Sequence, residues 1–167
     1  MKIASFFLLL LFVTKSYSAE PELQEVKSLF ESAVHSKASS DRLLKILSDI
    51  GPASPPLLIC YKGAAEMMRC RYGFNPIHKF KRFKKGKLLI EEAVKKEPDN
   101  PEIRFLRFAI QTNIPAFLNY NNDIKKDKKY LLSNVKTIKD KKLKESILKY
   151  MATSEYCSAE EKKGLTT

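Results

Sequence analysis

Residues 86–107, GKLLIEEAVKKEPDNPEIRFLR, read as one helix, a Pro-Asp-Asn-Pro corner and a second helix. Ile90 and Val94 continue an apolar face begun by Phe80 and Phe83, at the three- and four-residue spacing of an amphipathic helix. Pro98 ends that helix, because proline brings no amide to the ladder. Pro101 opens the next, where the missing amide costs nothing. This is a junction of the helical-repeat type, and it decides the fold.

The rest of the chain agrees. Only five of the 167 residues are glycine, while Leu, Lys, Glu, Ile and Ala dominate, a helix-forming composition. No segment alternates with period two, so the expected class is all-α. A first helix is predicted over 22–36 with Leu23, Val26, Phe30 and Val34 as its stripe, and a second over 41–50, capped by Ser39 or Ser40. A third, over 56–72, is apolar nearly all round and is expected to be central, its Gly63-Ala64-Ala65 patch admitting a close neighbour. The fourth runs from about Pro76 to Glu97 and the fifth from Pro101 to Asn113. A loop over 114–122, two lysine-rich helices over 123–138 and 140–154, and a weakly ordered tail over 159–167 complete the chain. Short connections favour antiparallel neighbours stacked in sequence.

At the N-terminus, Lys2 precedes an apolar run from Ile3 to Val13, and Ser16-Tyr17-Ser18 supplies small residues before a cut. This is the pattern of a secretory signal peptide over 1–18, cleaved near Ser18/Ala19. An uncleaved anchor is the alternative, but the run is short of the roughly 20 residues that span a bilayer. The expected location is periplasmic or extracellular, with one helical domain over 19–158. About 149 residues remain after cleavage, enough for one core without metal or disulfide staples. Of three cysteines, Cys60 and Cys70 fall about 15 Å apart if they share a helix, beyond the ~7 Å reach of a disulfide. Pairing of Cys157 stays open.

Charge is the second clue. The formal net charge is +12, and loss of Lys2 and Lys15 with the leader makes it +10. Between Met67 and Ile90 stand Arg69, Arg71, Lys79, Lys81, Arg82, Lys84, Lys85 and Lys87, with no acid. The fourth helix is therefore basic and amphipathic, suited to an anionic lipid or polysaccharide surface or an acidic partner. A solvated lysine face over a core Phe80 and Phe83 is the plainer reading. Nucleic acid is disfavoured by export and by the lack of a reading motif.

On the fifth helix Arg104, Arg107 and Gln111 recur at i, i+3 and i+7. Such a stripe lines a groove and offers guanidinium forks to a carboxylate, with Asn119, Asn121 and Asn122 as neutral donors nearby. The competing reading pairs both arginines internally with Glu66, Glu91 or Asp123. Catalysis has no comparable support. The two histidines, His35 and His78, belong to no His-Glu-x-x-His, and there is no Cys-x-x-Cys or phosphate-cradling glycine loop. No enzyme activity, metal or cofactor is expected.

The spacing Gly86, Ile90, Ala93, Pro98, with a new helix at Pro101, resembles the second half of a tetratricopeptide repeat. Gly63 in Tyr61-Lys62-Gly63-Ala64 resembles the small residue of the preceding repeat helix, although Gly63 to Pro98 is about eleven residues longer than the repeat allows. The larger pattern over residues 57–132, including Asn75-Pro76 and 115–121 (PAFLNYN), is similar to a group of exported bacterial proteins that carries no known activity. The resemblance implies helix pairs stacked as an irregular right-handed solenoid, with a compact helical bundle as the alternative. It also implies a scaffold that binds a peptide or an acidic protein partner in the cell envelope.

Overall fold

The computed structural model describes residues 20–166; the signal peptide expected over 1–18 lies outside them. The described residues form eight α-helices and no strand: α1 (Leu23–Ala33), α2 (Lys37–Ile46), α3 (Pro56–Arg69), α4 (Pro76–Lys96), α5 (Pro101–Asn113), α6 (Ile124–Asn134), α7 (Lys141–Thr153) and α8 (Ala159–Thr166). Short 3-10 turns extend α3 and α6 and interrupt the loop after α5. Among the described residues no helix is long and apolar enough to cross a membrane.

The starts of α4 and α5 share one device. Asn75 and Asn100 each accept two backbone amides of the first turn, and the proline that follows occupies the position where no amide is needed. Two boundaries differ from the sequence expectation. The cap of α2 is Ser36, whose Oγ accepts from the Ser39 amide at 3.2 Å, so this helix begins four residues early. The segment expected as a weakly ordered tail is helix α8. Ser158 and Glu161 form a reciprocal capping box, with the Ser158 amide donating to Glu161 Oε2 at 2.7 Å and the Glu161 amide to Ser158 Oγ at 3.2 Å. Lys128 on α6 pairs with Glu161 at 2.8 Å, and Leu165 packs on the apolar cluster beneath.

Helices pack in consecutive pairs, α1 with α2, α3 with α4, α5 with α6 and α7 with α8, while α1, α3, α5 and α7 touch in turn. Central α3 contacts α1, α2, α4 and α5. Its tightest contact is with α4, where Gly63 faces Gly86; a Cβ placed on Gly86 would stand 2.6 Å from the Gly63 carbonyl oxygen. Two apolar clusters result. One joins α1–α5 around Leu43, Ile59, Ile90 and Ile103, and the other joins α5 to α6, α7 and Cys157 around Phe108, Leu131 and Ile147. Helix α5 serves both, which places its polar residues at the joint between them.

Candidate functional site

Arg104 and Arg107 sit at that joint and do not line a groove. Both are almost fully buried, and Asp127 of α6, with 0% of its surface exposed, lies between them. Arg104 Nη1 donates to Asp127 Oδ1 at 2.5 Å and its Nε to the Pro98 carbonyl at 2.6 Å. Arg107 grips the same carboxylate with Nε and Nη2, at 2.7 and 2.8 Å, and reaches Glu91 on α4 with Nη1 at 2.8 Å. Asp123 adds a further negative charge 3.5 Å away. Burial opposes the Arg107 charge, but the hydrogen bonds to Asp127 and the surrounding carboxylates outweigh it, holding the guanidinium more firmly protonated than usual. The internal pairing with Glu91 and Asp123 holds, whereas Glu66 instead takes Arg82 and Lys85 of α4, each at 2.6 Å. Gln111 is 2% exposed and neither amide atom has a hydrogen-bond partner. Leaving such a group unsatisfied costs about 1–3 kcal/mol. Asn119 and Asn121 are exposed on the loop after α5, Asn119 in the left-handed conformation with φ 53°; neither joins the arginines.

A groove does exist, on the opposite side of α5. Glu102, Phe105 and Leu106 stand roughly half a turn around the helix from Arg104 and Arg107. With residues of α1, α3 and α7 they line a cavity of about 680 Å³. A second hollow of about 460 Å³ continues it past Asn100 and Tyr130 and shares Glu102, Asp140 and Leu143. A single polar chain crosses the floor. Tyr61 of α3 donates to Glu102 Oε1 of α5 at 2.6 Å. Lys27 of α1 donates to Glu102 Oε2 at 2.8 Å and lies 3.5 Å from Asp140, the N-cap of α7. One residue from each of the four odd-numbered helices, or its cap, is thereby tied in sequence. The Leu143 amide, then the Lys27 charge, hold the Asp140 carboxyl below its ordinary value against a desolvation cost. Phe30, set edge-on to Tyr61 at 5.3 Å between ring centroids, and Phe105 supply apolar wall. No spacing in the sequence connects positions 27, 61, 102 and 140, so this constellation is visible only in the fold.

Beneath the groove and beside the arginine centre, three buried acids keep their protons. Burial first, and the neighbouring carboxylates second, push the Cys60 thiol and the Tyr61 and Tyr120 phenols far above their ordinary values of 9.0, 10.0 and 10.0. Tyr120 donates to Glu91 Oε1 at 2.6 Å. The unfolded chain loses these protons from about pH 9 for the thiol and about pH 10 for the phenols, while the folded chain retains them. Stability from these groups is therefore unchanged below about pH 9 and falls above it, the thiol's share from about pH 9 and the phenols' from about pH 10, each approaching about 1.4 kcal/mol per pH unit. Urea unfolding at about pH 8 and about pH 10.5 is expected to show this loss; a flat profile would contradict it.

The basic patch is at the surface. Lys79, Lys81, Lys84 and Lys85 are exposed and Arg82 and Lys87 half-buried. Lys87 stacks over the Tyr120 ring at 4.9 Å from its centroid and also meets the Asn119 carbonyl at 3.5 Å. Phe83 is buried, but Phe80 is 53% exposed, because it stands about a quarter turn around α4 from the face that buries Phe83, Gly86, Ile90 and Val94. All three cysteines are free, Cys60 and Cys157 buried. Among the described residues no cluster of His, Cys, Asp or Glu is arranged to hold a metal ion. No protein-family model, no curated protein and no solved structure matches the chain.

Proposed function

We propose that this is an exported, non-enzymatic helical-repeat module, its helix pairs stacked as an irregular right-handed solenoid, which holds a peptide segment of a partner protein along the face built by α1, α3, α5 and α7. The observation that carries this reading is the groove itself: the first helix of every pair contributes to its lining, and the Tyr61–Glu102–Lys27–Asp140 chain fixes its floor. Consecutive pairing with contact between first helices supports stacking. The lining mixes apolar wall, Phe30, Phe105 and Leu143, with Lys27, Lys149, Glu31 and Glu145, so it suits a peptide with both apolar and charged side chains. It replaces the arginine stripe, whose two guanidinium groups are held by Asp127 inside the protein. The signal-like sequence over 1–18 supports export.

Selection of peptides from a random displayed library against the full chain tests the reading. Ser28 on α1 and Ser146 on α7 are exposed and border the groove, so Ser28→Trp with Ser146→Trp fills it without touching either core. Selected peptides are expected to bind this double variant at least about tenfold more weakly, a difference of about 1.4 kcal/mol. Peptides that bind both proteins equally would place recognition elsewhere.

A further inference from the structure

The outward face of α4 has a composition that solvation alone does not explain. Ile77, Lys81, Lys84 and Leu88 recur at four, three and four residues, and so share one face. Ile77 is 63% and Leu88 71% exposed, Phe80 lies beside them, and Phe74, at the loop just before the helix, is 100% exposed. Monomeric proteins scatter single apolar residues over their surfaces, but a set concentrated along one helix marks an interaction site. Lys84 stands over the Phe80 ring at 5.6 Å from its centroid. Among the described residues Lys79, Lys81 and Lys84 have no acidic partner, because the nearby carboxylates are already engaged: Glu66 with Arg82 and Lys85, Glu91 with Arg107 and Tyr120, Glu92 with Lys96.

We propose that this face, led by Phe74, docks the protein on an anionic lipid bilayer, with Phe74, Ile77, Phe80 and Leu88 entering the headgroup boundary and Lys81 and Lys84 meeting lipid phosphates. Charge complementarity selects an anionic partner, and the interleaved apolar side chains select a bilayer. A soluble polyphosphate or acidic glycan would satisfy the lysines and leave Phe74, Ile77 and Leu88 in water, whereas an interfacial helix gains from both. The site is independent of the groove, which lies on the odd-numbered helices.

The chain contains no tryptophan, so Phe74→Trp in the full chain gives an emission signal from this position alone. With vesicles of phosphatidylglycerol and phosphatidylcholine, its emission is expected to move to shorter wavelength and to be quenched by brominated acyl chains. Phosphatidylcholine alone is expected to give neither change. Combining Lys81→Gln and Lys84→Gln in the same protein is expected to lower partitioning about thirtyfold, from the contribution of each basic residue near an anionic surface. Cosedimentation with the vesicles reports attachment through any part of the chain, including residues 1–18, and Tyr156→Trp, on the loop before α8, reports contact of that loop with the bilayer. An emission change at Tyr156→Trp without one at Phe74→Trp overturns the proposal. So does an unchanged Phe74→Trp signal on anionic vesicles, an equal response to phosphatidylcholine, or binding of heparin without any vesicle response.

Discussion

Asp127→Ala is expected to lower the unfolding free energy by about 3–5 kcal/mol, the range for removing one partner from a buried ion pair. The magnitude follows from what the substitution leaves behind. Two guanidinium groups, on residues 5% and 2% exposed, lose three hydrogen bonds of 2.5–2.8 Å to one carboxylate. Glu91 retains only one end of Arg107. The loss also has a location. Helix α6 offers few apolar side chains to α5, chiefly Ile124 and Leu131, and Asp127 is its buried polar tie. Hydrogen exchange of α6 and α7 is therefore expected to accelerate more than that of α3 and α4. Replacing the triad together, by Arg104→Met, Arg107→Leu and Asp127→Leu, is expected to recover most of the stability, since well-packed apolar groups often match a buried ion pair. Denaturant unfolding decides the matter. A loss below about 1 kcal/mol for Asp127→Ala would mean that water reaches the arginines, and that the α5–α6 joint is looser than its geometry.

The arginine centre shows what the sequence revealed and what it withheld. Residues at i, i+3 and i+7 share a face, and Arg104, Arg107 and Gln111 do so. Periodicity identifies a face; it does not say what lies opposite. The apolar residues of α5 surround the helix, with Ile103 and Leu106 serving one cluster and Phe108 the other, so no polar face marked the outside. The face that borders the groove carries Glu102, Phe105 and Leu106, ordinary residues for a helix start. Local chemistry was more legible. The Asn-Pro pairs at 75–76 and 100–101 fixed two helix starts, because cap and first-turn proline act within three residues. Ser158-x-x-Glu161 carried the same kind of signal for α8 and was obscured by its setting, a short polar segment at the end of the chain. Phe80 illustrates the remaining difficulty. Its spacing to Phe83 reads as core, but the buried face centres on Phe83, Gly86, Ile90 and Val94 and leaves Phe80 at its edge.

Gly63 and Gly86 carry the second large effect. Each was legible as a small residue, but that they meet each other depends on how α3 crosses α4. A Cβ on Gly63 would lie 2.8 Å from the Gly86 carbonyl oxygen and 2.9 Å from Ile90 Cγ1. One on Gly86 would lie 2.6 Å from both the Gly63 carbonyl oxygen and Met67 Cγ. Alanine is the better helix former by about 1 kcal/mol, so a site with room would gain stability. Here Met67 can rotate away, but the carbonyl oxygens belong to helix backbones and retreat only if the helices separate. Separation loosens contacts along the interface that includes Ile59, Ile90 and Ala93, and overpacking of this kind costs about 1–3 kcal/mol. Gly63→Ala and Gly86→Ala are each expected to destabilise by about 2 kcal/mol net, and Gly86→Val by about 3 kcal/mol. The double alanine variant is expected to cost clearly less than the sum, because the first methyl already forces the separation that the second requires. Independent, additive losses would place the strain in the side chains around each glycine; stabilisation by either alanine would mean that α3 and α4 are not in backbone contact.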